Sequence, residues 1–422
     1  MEQSLQDPPQ RTAGPAATAS RNSTPHGGPL RAAIAERLFR SATSKLPLTV
    51  RYPDGHTEGG GHDRSPLMVL HDPRTFFHRL GSSRLIGFGE SYQAGEWDSP
   101  ALAELLTVFA AELPNLIPAP LQAVRRAFEP RRPRSEANSL RGARRNIERH
   151  YDLSDDLFEL FLDVSMTYSA ALFEQDAAGD PVGGFETLAD AQCRKIDRLL
   201  EWCGVGPGTR LLEVGGGWGS LALRAAARGA RVTTITLSSN QRAAVRDRVD
   251  SAGLGGLVDV QLTDYRAVQG RYDAVVSVEM IEAVGREHWP DYFAALRRLT
   301  ASGGRIGLQA ITMPHERMVA AAASQTWITK HIFPGGLIPS LTAIRTHARS
   351  AGFRELDDFR FGQHYAHTLR LWRNRFAEHL EAVAALGFDG TFQRTWELYL
   401  AYSEAGFAAG YLDVHQMVFG ID

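Results

Sequence analysis

RLLEVGGGWGSLALRAA, residues 210–226, reads as a buried strand, a turn of alternating glycines and the opening of a helix. Gly215, Gly217 and Gly219 let the backbone approach a ligand closely, and the helix start offers it unpaired N–H groups. The same grammar continues on both sides. AQCRKIDRLLEWCGV is helical before it, and RVTTITLS, VDVQLTD, YDAVVSVE and RIGLQAITMP are strands after it. NQRAAVRDRVDSAG and DYFAALRRLTASGG supply helices between them. Alternation of this kind predicts an α/β, doubly wound sheet that binds ligands at the carboxyl ends of its strands.

Dinucleotide enzymes use a similar glycine turn, so the residues around it choose the ligand. Glu213 stands just before the glycines, where a carboxylate can hold a ligand ammonium. The second strand closes as ITLSSNQ, without the acid that grips the ribose in a nicotinamide site. The third strand ends in TDY, where Asp264 can accept from an adenine amino group. These features favour S-adenosylmethionine (SAM) over NAD. A nicotinamide oxidoreductase, and a lipid-binding protein with a relic SAM site, are the competing classes.

The 422 residues exceed one ordinary domain. A polar tail over 1–29 is expected to be disordered, and 30–120 reads as a small α+β domain. An Arg-rich linker over 121–145 leads to a catalytic domain over 146–422. Nine arginines fall between Arg125 and Arg149, a candidate contact with anionic lipid head groups. The net charge of −2 does not point to nucleic acid. Two cysteines, Cys193 and Cys203, without metal spacing, fit a reducing cytoplasm and no zinc site. No run reaches the roughly 18 apolar residues of a membrane span.

SVEMIEAVG, residues 277–285, places Glu279 and Glu282 at the end of an apolar strand, where an unpaired charge is costly. NIERHYDLSDDLFELFLDVSMTYSAALFE, LLEVGGGWGS, ITLSSNQ, SVEMIEAVG, ITKHIFPGGLIPS and HYAHTLRLWRNRF together resemble the cyclopropane-fatty-acyl-phospholipid synthase family. The resemblance runs from about residue 30 to the end. It implies a seven-stranded SAM-methyltransferase (Rossmann-like) sheet with an antiparallel last strand, beside a smaller N-terminal domain. It implies SAM contacts at Tyr168, Ser169, Gly215, Gly217, Thr236, Gln241, Asp264 and Tyr265, with Glu282 and Tyr365 in the active site. Typical members add a Cys and a His to hold a bicarbonate ion that serves as base. Here those base-site positions are Ala170 and Gln309, which puts an unmodified bicarbonate site in doubt.

Methylating an alkene leaves a carbocation that water would quench, so the chemistry needs a dry pocket and aromatic faces. Tyr168, Phe333, Tyr365, Trp372, Tyr399 and Tyr402 are the candidates. Glu282 is the expected base, its pKa raised by an apolar site; Glu279 is assigned a structural or cofactor-side role. His331, His364 and His367 are given surface or packing roles. Other stretches, among them WELYLAYSEAGFAAGYLDV, resemble an actinobacterial branch that makes methyl-branched fatty acids. The implied activity is conversion of an oleoyl phospholipid to a 10-methylene-stearoyl chain, which a partner reductase turns into 10-methylstearate. A cyclopropane product is the alternative. The implied setting is cytoplasmic, peripheral on the inner face of the membrane; a homo-oligomer is left open.

Overall fold

The computed structural model describes residues 28–62, 65–112, 153–322 and 324–421. The polar tail up to residue 27 and the arginine cluster from Arg125 to Arg149 lie outside the described residues.

The glycine turn sits at the centre of a seven-stranded sheet. Its strands are β7 (Arg210–Val214), β8 (Arg231–Thr236), β9 (Val258–Leu262), β10 (Tyr272–Val278), β11 (Thr300–Thr312), β12 (Arg354–Arg360) and β13 (Asp413–Gly420). The order is β12-β13-β11-β10-β7-β8-β9. β13 runs antiparallel to both of its neighbours, as the resemblance implied for the last strand. β10, β7, β8 and β9 pair in parallel. Their near-continuous burial explains the apolar runs LLEV and AVVSV, since parallel strands are covered on both faces.

After β7 the chain winds outward through β8 and β9, then returns to the other side of β7 as β10. That reversal opens a crevice between the ends of β7 and β10, the place where open α/β sheets bind ligands. The helices predicted from periodicity form at Leu188–Trp202, Ser220–Ala227, Ser239–Ser251 and Trp289–Leu299.

The N-terminal segment builds a four-stranded sheet, order β2-β1-β3-β4, from Thr49–Arg51 (β1), Thr57–Glu58 (β2), Leu67–Leu70 (β3) and Trp97–Asp98 (β4). The Pro-Asp-Gly turn of the sequence joins β1 to β2, which are antiparallel. Helices Pro29–Thr43, Pro73–Gln93 and Leu102–Glu112 cover it. Phe39, Phe76, Phe77 and Trp97 form its centre, and the aromatics of the C-terminal helices join the same apolar cluster. The tie is also polar: Tyr92 donates to Glu397 (2.8 Å), and Arg394 donates to the carbonyls of Tyr92 (2.6 Å) and Trp97 (3.0 Å). The small unit thus packs directly on helix Gly390–Ala408, which carries Tyr399 and Tyr402. Among the described residues no helix is long and apolar enough to cross a membrane.

Candidate active site

The first half of the site is backbone. Gly215 has φ +89°, and a Cβ there would fall 2.4 Å from the Met280 sulfur, so both conformation and space demand glycine. Gly217 also has positive φ, with open space in front of it. Glu213 ends the neighbouring strand, buried, and accepts from the Thr234 hydroxyl of the adjacent strand (2.7 Å). Burial pushes its carboxyl up to about 8, against the pull of Thr234 and Lys195. Thr236 donates to the Gln241 side chain (2.8 Å), whose own N–H is capped by Ser238 (3.2 Å).

Asp264 is bidentate with Arg266 (both 2.7 Å), which holds its carboxyl below the usual range despite partial burial. Oδ1 accepts two bonds from Arg266 and Oδ2 one, which leaves an acceptor position on Oδ2. Tyr265 packs edge-on against Tyr292.

A second segment crosses over this turn. Arg248 donates to the carbonyls of Ser165 (3.0 Å) and Trp218 (2.7 Å), pinning the loop that leads to Tyr168 and Ser169. Gln192 donates to the Ser169 carbonyl (2.9 Å), and the Ala171 and Phe173 N–H groups bond Thr368 and His364. His364 is buried and held neutral, its pKa lowered to about 4 by desolvation, and its Nδ1 accepts from Phe173. His367 bonds the Gly183 carbonyl, whereas His331 pairs with Glu90 (3.2 Å).

The second half is the acid pair. Glu279 stands directly after β10 with φ +51°, a left-handed conformation that costs a non-glycine residue about 1–3 kcal/mol. Its carboxylate gathers three donors from three distant segments. The Ala170 N–H (2.9 Å) and Gln309 Nε2 (2.8 Å) reach Oε1, and the Tyr365 hydroxyl (3.0 Å) reaches Oε2. Gln309 cannot turn its amide around freely, because its Oε1 accepts from Gln416 (3.0 Å). Burial raises the Glu279 pKa, while Lys195 and the three donors favour the ionised form.

Glu282, one helical turn on, accepts from the Ile311 N–H (2.5 Å). Its Oε2 is buried without a hydrogen-bond partner among the described residues. Burial, and then the Glu279 charge, push it up to about 8. Tyr365 is raised well above its ordinary range by burial and by Glu279, so it remains a donor. Glu279 and Glu282 are both part-buried, just beyond the carboxyl end of β10.

Aromatic rings pack around Tyr365 in one cluster. Tyr168 and Tyr399 share a 2.6 Å hydrogen bond, Tyr168 tilts over Trp372 (5.3 Å), and Phe333 meets Tyr399 edge-on (5.7 Å). Tyr365 stands perpendicular to Trp372 (6.1 Å). Tyr402, expected among the aromatic candidates, is instead 48% exposed.

Sequence reasoning missed Lys195. It is 1% exposed, donates to the Ser169 hydroxyl (2.6 Å), and lies within the electrostatic reach of Glu279, Asp163 and Glu213. Desolvation lowers its pKa to about 8. The signal was present: Leu188, Ala191, Lys195 and Leu199 share one helical face, and a lysine on an apolar stripe needs a buried partner. Of the structural or cofactor-side role expected for Glu279, the side chain's turn to Gln309 and Tyr365 fits a hydrogen-bonding acid that ties distant segments together. Among the described residues no group of His, Cys, Asp and Glu could hold a metal ion.

Comparison with known proteins agrees with this geometry. Residues 138–417 match the family model described as mycolic acid cyclopropane synthetase. The tuberculostearic acid methyltransferase UfaA1 of Mycobacterium tuberculosis is 52% identical over 393 residues, 92% of each chain. A probable fatty acid methyltransferase of Pseudomonas putida is 37% identical, over 64% of this chain and 68% of that one. Among solved structures, the mycolic acid cyclopropane synthase CmaA1 complexed with SAH and CTAB is 32% identical, with a TM-score of 0.59. That match covers 66% of this chain and 98% of that one. The chain thus belongs to the mycolic acid cyclopropane synthetase family and is a SAM-dependent methyltransferase.

Proposed function

We propose that this enzyme methylates the cis double bond of an oleoyl-type phospholipid acyl chain and releases a 10-methylene-stearoyl product, the precursor of 10-methylstearate. One observation carries the reading: a glycine turn, a packed aromatic cluster and a pair of part-buried acids meet at adjacent strand ends. Identity of 52% across nearly the whole chain to a protein named for tuberculostearic acid supports a methyl-branched product.

SAM, when bound, supplies an electrophilic methyl group. We assign its hold to Tyr168, Ser169, Glu213, Gly215, Gly217, Thr236, Gln241, Asp264 and Tyr265. An alkene is a weak nucleophile, so the fixed walls must align it with that methyl at near-attack distance. Tyr168, Phe333, Trp372 and Tyr399 exclude water and turn ring faces toward the developing cation. After a hydride shift the cation loses a proton to the acid pair that ends β10, Glu279 and Glu282. The resemblance singles out Glu282 of the two. Proton loss with ring closure instead gives a cyclopropane, the second reading, which the family model favours.

The substrate implies peripheral attachment to the cytoplasmic face of the membrane, and a reductase then consumes the methylene product. Co-sedimentation with oleoyl phospholipid vesicles checks the attachment; protein that stays in the supernatant contradicts it. For the reaction, the enzyme is expressed in cells that make oleate, and their lipids are analysed by mass spectrometry. Oleoyl chains heavier by one CH₂ are expected, and unaltered lipids would refute the reading.

A further inference from the structure

We propose that the Glu279 carboxylate is itself the proton acceptor, standing where typical relatives are implied to bind a separate bicarbonate ion. The proposal rests on the methylation reading above and concerns its final step.

The donor set comes first. By the resemblance, Ala170 and Gln309 occupy the positions of the usual Cys and His, in a group with Tyr365 and Glu282. In this chain the Ala170 N–H, Gln309 Nε2 and Tyr365 hydroxyl all end on Glu279, at 2.9, 2.8 and 3.0 Å. A separate bicarbonate would find its donors taken and would add an anion beside two carboxyl groups. Burying such a charge without donors is costly. The residues present therefore do not fit the ion, and a tethered carboxylate serves in its place.

The backbone points the same way. A glutamate held at φ +51° persists only where its surroundings fix it, and such residues cluster at functional sites. Here four groups fix it: the three donors and, through charge, the enclosed Lys195. Gln416 fixes the Gln309 amide so that its Nε2 faces Glu279.

The step then balances within the chain and substrate. Oε1 already accepts two hydrogen bonds and Oε2 one, so Oε2 keeps a lone pair for the proton. A C–H bond of the transferred methyl breaks, and its electron pair becomes the exocyclic π bond. The proton bonds to Oε2, and no oxidant or reductant is consumed. Glu282 has no ion-pair partner among the described residues, whereas Glu279 gathers the three donors and the Lys195 charge, all of which favour its ionised form.

The test uses the full-length enzyme, SAM and oleoyl phospholipid vesicles in buffer stripped of carbon dioxide, with or without added bicarbonate. Wild-type turnover is expected to be the same, within about twofold, in both. Glu279→Gly suits the left-handed backbone, and its fold is checked by S-adenosylhomocysteine binding. Its turnover is expected to fall about 100-fold, the scale of lost general-base catalysis, and to recover at least in part with added bicarbonate or formate. Bicarbonate-dependent wild-type turnover would overturn the proposal, as would a Glu279→Gly enzyme that is fully active in stripped buffer or that no small carboxylate rescues. If the wild type makes no methylated lipid under either condition, the methylation reading fails instead.

Discussion

The two halves of the site are built by opposite means. The glycine turn at the heart of the cofactor half is local: one strand, one turn and one helix bring Glu213, Gly215, Gly217 and Gly219 together within seven residues. The acid half is convergent. Ala170, Lys195, Glu279, Gln309 and Tyr365 come from five segments and meet only because β10, β11 and helices Leu188–Trp202 and Gly362–Glu378 pack as they do. A local motif tolerates change elsewhere in the fold, whereas a convergent one depends on every segment that supplies it. Mutations in the two halves should therefore separate binding from chemistry.

The largest separation is expected for Glu279→Gln, which keeps the shape and removes the charge. Turnover should drop about 10³-fold, within the range of general-base loss, while S-adenosylhomocysteine affinity by calorimetry stays within about threefold. Glu282→Gln should cost only about tenfold, since the protonated acid and the amide are near-isosteres; equal losses at both positions would erase the distinction between them. Gly215→Val sharpens the contrast from the other side. Its branched side chain meets Met280 and a positive φ, so affinity should fall about 100-fold, at a folding cost of about 1–3 kcal/mol.

Lys195→Met tests the charge that links the halves. Removing one member of a buried charge group costs roughly 3–5 kcal/mol, measurable by chemical denaturation. The same change should move the acid limb of the turnover–pH profile upward, because Glu279 loses a cation that favours its ionised form. A profile left in place would separate Lys195 from Glu279.

Stability against pH gives a smaller effect with a definite sign. Glu213 and Glu282 are raised from 4.5 to about 8, so the folded chain holds protons that the unfolded chain has released. Their contribution is full below pH 4.5 and is lost as pH rises through 8, so the stability of the ligand-free enzyme should decline across that window. Glu282→Gln should flatten the decline. Smallest of all, Tyr168→Phe removes the hydroxyl shared with Tyr399 and should cost about 1 kcal/mol of stability, read by chemical denaturation.

The same division explains what could be read from the chain alone. The strands and helices between residues 188 and 314 follow from apolar periods and glycine turns, except that TASGG, read as the end of a helix, opens β11. The antiparallel last strand needed the family resemblance, because VHQMVF carries no sign of direction. The acid pair was visible as an anomaly at a strand end, but its division of labour was not. Which carboxylate collects the donors depends on a left-handed φ at Glu279 and on donors 30 to 109 residues away. Lys195 went unread because a lysine in an amphipathic helix is ordinarily solvated, and only its place on the apolar stripe marked it.

The central claim is that these halves together turn an oleoyl chain into a methylene-branched one. The direct measurement is proton NMR of the lipid that purified enzyme makes from SAM and oleoyl phospholipid vesicles. Terminal methylene protons on a branched C₁₉ chain are the predicted result. Cyclopropane ring protons, or an unchanged oleoyl chain, would contradict it.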